Sequence, residues 1–187
     1  MALPLRRLRL GVGRLLKLTV AVTAPRTSMG RGTVLRHWRS LAVFLVACLG
    51  VAAFGAQFEP GLWYEGLRKP AWTPPNWIFP LAWGLLYITI ALSGWLVWRE
   101  RGFHAARAPL VLYGTQLALN AAWSWLFFGL HRPGWAFAEI VLLWAFILAT
   151  ILAFRHVSRV AAALLLPYFA WVSFAVLLNA TLWQMNR

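Results

Sequence analysis

The sequence predicts an all-α integral membrane protein built on a bundle of five transmembrane helices. Composition is the first reason: of 187 residues, 61% are hydrophobic and 12% are charged, whereas soluble domains have about 45–50% apolar and about 25% charged residues. The only acidic residues are four Glu, too few to supply the polar shell of a soluble protein. Composition therefore excludes a water-soluble globule, and the apolar segments and the distribution of basic residues complete the prediction.

Five segments are long enough, or nearly so, to cross about 30 Å of hydrocarbon as helices of about 20 residues. The predicted spans are 40–58, 78–98, 108–130, 134–154 and 161–183. The first has the shortest uncharged core, but Trp38 and Arg39 can anchor its start at the lipid headgroups. We therefore count it as a span.

The connection 59–77, EPGLWYEGLRKPAWTPPNW, differs from the other connections, which are short. It contains four of the ten prolines and three tryptophans. Pro70, Pro74 and Pro75 exclude a regular helix. Because irregular backbone cannot face lipid, we predict a folded loop that covers one mouth of the bundle at the water interface.

Half of the basic residues precede the first span. Nine of the 18 Lys and Arg lie in residues 1–39, where there is no acidic residue. Residues 1–37 form either a targeting segment or an over-extended start before a membrane domain at 38–187, and Met29 is the alternative start. Such a basic tail sets topology or contacts anionic lipid more often than it binds nucleic acid, so we expect no nucleic-acid partner.

The orientation follows from Lys and Arg counted on alternate sides of the five spans. One side, which includes the N-terminus, carries 14, and the other carries four. The excess of basic residues marks the inner side. We therefore predict that the N-terminus lies on the inner, cytoplasmic side.

The third span has a polar and aromatic face. At helical spacing it presents Tyr113, Gln116, Asn120, Trp123 and Phe127. Side-chain amides are unfavourable in mid-membrane unless they are hydrogen-bonded, so Gln116 and Asn120 should point into the bundle. They serve either as interhelical hydrogen bonds or as polar anchors for a ligand.

Small residues occupy a different face of the third span. These are Gly114, Ala118 and Ala122. Because small residues let helices approach closely, this stripe predicts either the seam of a homodimer or close packing within one monomer.

Three sequence blocks resemble the translocator protein family, also called the tryptophan-rich sensory proteins (TspO/MBR). The blocks are WYEGLRKPAWTPPNWIFPLAWGLLY (63–87), QLALNAAWSWLFFG (116–129) followed by RPGWA (132–136), and PYFAWVSFAVLLN (167–179). The resemblance covers about 38–186. It implies a five-helix bundle, usually a homodimer, that binds porphyrins and other lipophilic ligands in a pocket beneath the first loop. It also implies a role in tetrapyrrole metabolism or stress responses.

The candidate ligand-binding residues combine the helix faces with the positions that match the family. They are Trp63, Tyr64, Trp72, Trp83, Tyr87, Gln116, Asn120, Trp123, Trp135, Trp171, Ala175 and Asn179. Indole faces are suitable stacking partners for a wide, flat porphyrin, although tryptophan stripes also serve packing. We expect a porphyrin or haem-type ligand and no required cofactor.

Three functions share such a pocket: a receptor or sensor, a transporter of porphyrin or lipophile, and a light-dependent porphyrin-degrading enzyme. In the enzyme, Trp83 and Trp171 would be the oxidisable residues. The sequence indicates no conventional catalytic group, since no Ser has a plausible His and acid partner at membrane depth. All four His lie at span ends, so we expect no metal site.

Two further features bear on function. Glu139 lies inside the fourth span, where an ionisable group is a functional candidate, but it could instead reach the interface or pair with Arg132. The family's sterol pattern is incomplete, because Ala180 and Gln184 stand where a tyrosine and a basic residue would be. The sequence therefore does not favour cholesterol as a partner.

Overall fold

Helices make up most of the part of the chain that the computed structural model describes, residues 31–58 and 60–187. They are α1 (Arg31–Gly55), α2 (Leu62–Gly66), α3 (Ile78–Ala105), α4 (Arg107–Ser124), α5 (Pro133–Arg155), α6 (Arg159–Leu164) and α7 (Leu166–Met185). A π-helical turn, Trp125–Gly129, continues α4. No strand occurs in these ranges, so the predicted all-α class is confirmed. Most of the predicted extension, 1–37, lies outside the described residues.

Four stretches are long and apolar enough to cross a membrane. They are His37–Gly55, Ile78–Ala105, Pro133–Arg155 and Arg159–Met185. These correspond to the first, second, fourth and fifth predicted spans, and the described part of the chain is therefore that of a helical integral membrane protein. The third predicted span, 108–130, is also helical, but it is not among these four stretches. Helix α4 has 18 residues, and the amides of Gln116 and Asn120 lower its mean hydropathy.

Two helix boundaries differ from the predicted spans. Helix α3 continues to Ala105 instead of ending near residue 98, and the chain turns at Gly102, whose φ of 70° suits glycine. The fifth predicted span is divided into α6 and α7 at Leu165. Pro167 lacks the N–H that would continue a helix, but it fits the first turn of α7.

Aromatic side chains fill the space where α4 meets α3 and α5. The ring of Tyr113 on α4 stacks on Phe154 of α5, with centroids 5.9 Å apart. On α3, a Cβ placed on Gly94 would lie 2.7 Å from Cζ of Tyr113 and 2.9 Å from the ring of Phe44. Only glycine at position 94 allows α3 to approach Tyr113 of α4 and Phe44 of α1 so closely.

Helix α1 is much less buried than α3. In the most apolar 18 residues of each helix, 6% are buried in α1 and 39% in α3. Helix α1 joins the bundle through the contact of Phe44 with Tyr113, and through Cys48, whose Sγ lies 3.4 Å from the hydroxyl of Tyr113. Ser40 of α1 also accepts a hydrogen bond from the Trp95 indole N–H of α3 at 3.1 Å.

Candidate ligand cavity

A cavity of about 880 Å³ lies among α1, α3, α4, α5 and α7, next to the loop 60–77. This volume is within the range of about 300–1,000 Å³ that small-molecule sites occupy. Its wall is largely aromatic. The aromatic side chains that line it are Phe58, Tyr64, Phe79, Trp83, Tyr87, Trp123, Phe127, Phe128, Trp171 and Phe174.

Helix α1 supplies a wall of small and aliphatic side chains. Leu45, Cys48, Ala52 and Gly55 recur at helical spacing and all border the cavity. The sequence predicts α1 only as a span, and this contribution to the cavity wall is not part of that prediction. The signal was present, since small residues at that spacing leave room beside a helix.

Asn120 connects two tyrosines in the wall of the cavity. The Tyr87 hydroxyl donates to Oδ1 of Asn120 at 2.7 Å, and Nδ2 of Asn120 donates to the Tyr168 hydroxyl at 3.1 Å. These bonds join α3, α4 and α7. Of the two interpretations of this amide, the structure shows the interhelical one, although Asn120 also borders the cavity.

Asn179 has a similar position nearer the loop. Its Oδ1 accepts from the Trp123 indole N–H at 3.0 Å, and its Nδ2 donates to the carbonyl of Pro133 at 2.9 Å. Trp123 in turn stacks on Phe127, with centroids 5.1 Å apart and planes 19° apart. The hydrogen bond therefore fixes the orientation of one aromatic wall.

Two buried polar side chains are not paired within the described ranges. Gln116 is 1% exposed, and neither its Nε2 nor its Oε1 has a hydrogen-bond partner there. Both carboxylate oxygens of Glu139 are likewise buried without a partner. Glu139 therefore neither reaches the interface nor pairs with Arg132, the two structural roles that the sequence suggested.

Trp83 and Trp171 form two aromatic faces of the cavity. Trp83 lies beside Tyr87, with centroids 5.4 Å apart, and Trp171 meets Phe79 edge-on at 5.9 Å. Indole N–H groups elsewhere donate to the protein, as in Trp123. Neither Trp83 nor Trp171 donates from its indole N–H to a residue in the described part of the chain, so the protein does not engage either N–H there.

The loop 60–77 is folded against the cavity. Tyr64 is 5% exposed and borders the cavity, where its ring meets Phe128 edge-on at 5.6 Å. Burial raises the pKa of the Tyr64 phenol above its ordinary value. Lys69 Nζ lies 4.7 Å from the centroid of the Tyr64 ring and donates to the carbonyl of Glu65 at 3.0 Å.

The C-terminus holds the loop in place. The backbone N–H of Arg68 donates to Oδ1 of Asn186 at 2.9 Å, and Nδ2 of Asn186 donates back to the carbonyl of Arg68 at 2.9 Å. The same Nδ2 also donates to the carbonyl of Leu182, in α7. Asn186 therefore fastens the loop to the end of the last helix, a contact that the sequence does not predict.

Most of the candidate ligand-binding residues border the cavity. Those on its wall are Tyr64, Trp83, Tyr87, Asn120, Trp123, Trp171, Ala175 and Asn179. Those outside it are Trp63, Trp72, Gln116 and Trp135. Trp63 stacks on His131 at 4.4 Å, Trp72 packs on Phe174 at 5.7 Å, and Trp135 is 72% exposed.

The fold and the cavity define the class: an all-helical integral membrane protein with a ligand-sized aromatic cavity beneath a folded loop. Residues 42–184 match the TspO/MBR family. The chain belongs to this family, as the sequence blocks predicted.

Relatives from animals and bacteria are similar over most of their length. The chain is 44% identical over 138 residues to the Translocator protein of Homo sapiens, covering 71% of this chain and 82% of the relative. It is 40% identical over 149 residues to Protein CrtK of Rhodobacter capsulatus, covering 78% of this chain and 91% of that relative. It is 42% identical over 154 residues to the Tryptophan-rich protein TspO of Chlorobaculum tepidum, covering 79% of this chain and 96% of that relative.

Proposed function

We propose that this protein is a membrane receptor or sensor that binds porphyrins and other lipophilic ligands in the aromatic cavity and so regulates tetrapyrrole metabolism or a stress response. The observation that carries the proposal is the cavity of about 880 Å³ with Trp83 and Trp171 on its wall. Porphyrins are large, flat and polarizable, and indole rings offer matching area with favourable offset stacking.

The polar groups of the cavity fit a ligand that is mostly apolar. Asn120 and Asn179 are already hydrogen-bonded to the protein, so they hold the wall in shape without requiring a ligand. The free indole N–H groups of Trp83 and Trp171 offer two donors. Stacking and burial of apolar surface would therefore supply most of the binding free energy, and the donors would orient the ligand.

The membrane arrangement that we propose has five spans. Helix α4 and its π-helical turn cover residues 107–129, roughly 34 Å at 1.5 Å per residue, enough to cross the hydrocarbon. The buried amides Gln116 and Asn120 face the bundle, so α4 can present an apolar surface to lipid. With five spans, the basic residues place the N-terminus on the inner side.

A homodimer joined through α4 is also part of the proposal. Gly114 and Ala118 are exposed on α4, and a Cβ at Gly114 would have no atom within 4 Å. With Ala122 they form a surface that a second copy could approach closely. Ala118→Phe is expected to lower the dimer fraction in detergent, measured by light scattering, and an unchanged fraction would contradict the seam.

The alternative function is light-dependent degradation of porphyrin. It is favoured by the position of Trp83 and Trp171, two oxidisable indoles on the wall of one cavity. Illumination of the porphyrin complex in the presence of molecular oxygen, which would be the oxidant, would then remove the porphyrin absorbance band, and Trp171→Phe would slow that loss. A band that is equally stable with and without the protein would exclude this activity.

The test of the binding proposal is titration of the purified protein with protoporphyrin IX in the dark, followed by tryptophan fluorescence. We expect saturable quenching and a Kd raised about tenfold by Trp171→Phe, the loss of about 1.4 kcal/mol of stacking. Trp144→Phe is the matched control, because Trp144 bonds Ser173 and does not border the cavity. Linear quenching that is identical in all three proteins would contradict the proposal.

A further inference from the structure

A second hollow lies on the outer surface of the bundle, between α3 and α7. Its volume is about 450 Å³, and its lining is apolar. The residues that line this groove alone are Ala82, Leu85, Leu86, Pro167 and Ala170. Leu85 is 61% exposed within a stretch long enough to span the membrane, so the groove opens where lipid would lie.

Two side chains border both the groove and the central cavity. Trp171 and Phe174, one turn apart on α7, line each of the two spaces. Their ring centroids are 5.8 Å apart and their planes are tilted by 40°. The two rings therefore form the partition between the inside of the bundle and its lipid-facing surface.

The two rings of the partition are held by packing and not by hydrogen bonds within the described residues. Neither Trp171 nor Phe174 is fully buried. The Trp171 indole N–H donates to no residue within the described ranges, so rotation of this ring breaks no hydrogen bond there. Ala82 on α3 and Ala170 on α7 leave room beside the partition, whereas larger side chains at these positions would close the groove.

We propose that the groove and the partition form a lateral portal, through which a lipid-dissolved ligand passes between the bilayer and the central cavity. Trp171 and Phe174 are its gate. The inference rests on the proposed binding of lipophilic ligands. The molecule that passes is the flat, apolar ligand itself, because the only polar group among the side chains that line the groove is the Trp171 indole N–H, and no charged side chain is present there to hold a phosphate headgroup.

Blocking the groove tests the portal. The protein is placed in lipid vesicles, protoporphyrin IX is added with the lipid, and stopped-flow tryptophan quenching follows association and displacement. Ala170→Phe should slow both rates about tenfold, as an added barrier of about 1.4 kcal/mol would, and leave Kd within a factor of about two. Ala145→Phe is the control, since Ala145 is equally exposed, on α5, and lines neither space.

Removing one ring of the gate tests the same portal by the opposite effect, a faster exchange of ligand. Phe174→Ala should raise both rates, because it removes half of the partition. Phe174 also touches Trp72 of the loop, so Trp72→Ala is the matched control: it removes that contact and keeps the partition. Faster exchange in Phe174→Ala alone supports the portal, whereas equal acceleration in both variants would mean that the ligand passes beneath the loop.

The outcomes separate this inference from the proposed function. If wild type binds saturably but Ala170→Phe exchanges ligand as fast as wild type and Ala145→Phe, the portal is wrong and the binding proposal stands. If Ala170→Phe raises Kd through a slower association alone, the groove is part of the binding site and not a passage. If wild type shows no saturable binding, both proposals fail.

Discussion

The two ends of the bundle use the same kinds of residue to opposite effect. At the end around Tyr113 and Phe154, aromatic rings stack on one another and fill the space between helices. At the end beneath the loop, Trp83 and Trp171 line an open volume of about 880 Å³. A high content of aromatic residues therefore does not by itself indicate a ligand site.

Two glycines on α3 show what makes the difference. A Cβ on Gly94 would lie 2.7 Å from the Tyr113 ring, whereas a Cβ on Gly84 would meet no atom within 4 Å. Gly94 allows helices to touch, and Gly84 borders the cavity. At the filled end, around Tyr113 and Phe154, aromatic rings cover the small residues. At the open end, beneath the loop, the small residues of α1, such as Ala52, add to the space of the cavity.

The largest expected effect of a single substitution is a loss of stability at the filled end. Gly94→Ala should lower the free energy of unfolding by about 1–3 kcal/mol, because the added methyl group has no space among well-packed rings. Thermal unfolding in detergent measures it. Gly84→Ala is the matched control and should be neutral or slightly stabilising, since alanine favours helix. Equal stability of the two variants would contradict the contrast between the ends.

The next largest loss of stability is expected from a substitution of Asn120, at the boundary between the two ends. Asn120→Ala removes the partner of the Tyr87 and Tyr168 hydroxyls, and an unpaired buried group costs about 1–3 kcal/mol. We expect lower stability together with weaker binding of protoporphyrin IX, since Tyr87 also loses its fixed position on the cavity wall. Stability measured by chemical denaturation should fall, and an unchanged midpoint would show that these bonds do not organise the wall.

A smaller and more local effect is expected at the loop. Asn186→Ala removes both bonds to Arg68, which contribute about 1 kcal/mol each at most because they are exposed. Amide hydrogen exchange in the loop 60–77 should become faster, and exchange around Phe154 should not change. Thr181→Ala is the control, since its hydroxyl bonds only its own helix, at Leu177. Unchanged exchange in the loop would contradict the fastening by Asn186.

Local signals in the sequence account for much of the fold. Apolar runs located the helices, the prolines of 59–77 located the loop, and the spacing of Trp83 and Tyr87 placed them on one face. Long-range contacts carried no such signal. Arg68 and Asn186 are 118 positions apart, and nothing local to either residue indicates that they meet.

The candidate site was less completely predictable than the fold. Helix periodicity showed that Gln116 and Asn120 share a face, but it did not show that only Asn120 finds partners. That outcome depends on which neighbouring helix supplies a hydroxyl at the right depth. The aromatic residues outside the cavity, such as Trp135, could not be separated from those inside it, because all have the same residue type.

The most direct test of the account is to locate bound protoporphyrin IX by amide hydrogen exchange in lipid vesicles, comparing ligand-free and saturated protein. We expect slower exchange in the loop 60–77 and in the parts of α3 and α7 around Trp83 and Trp171. Exchange around Tyr113 and Phe154 should stay the same, because stacked aromatic rings fill the space between the helices there. Slower exchange at the filled end, or none at the loop end, would contradict the assignment of the cavity as the binding site.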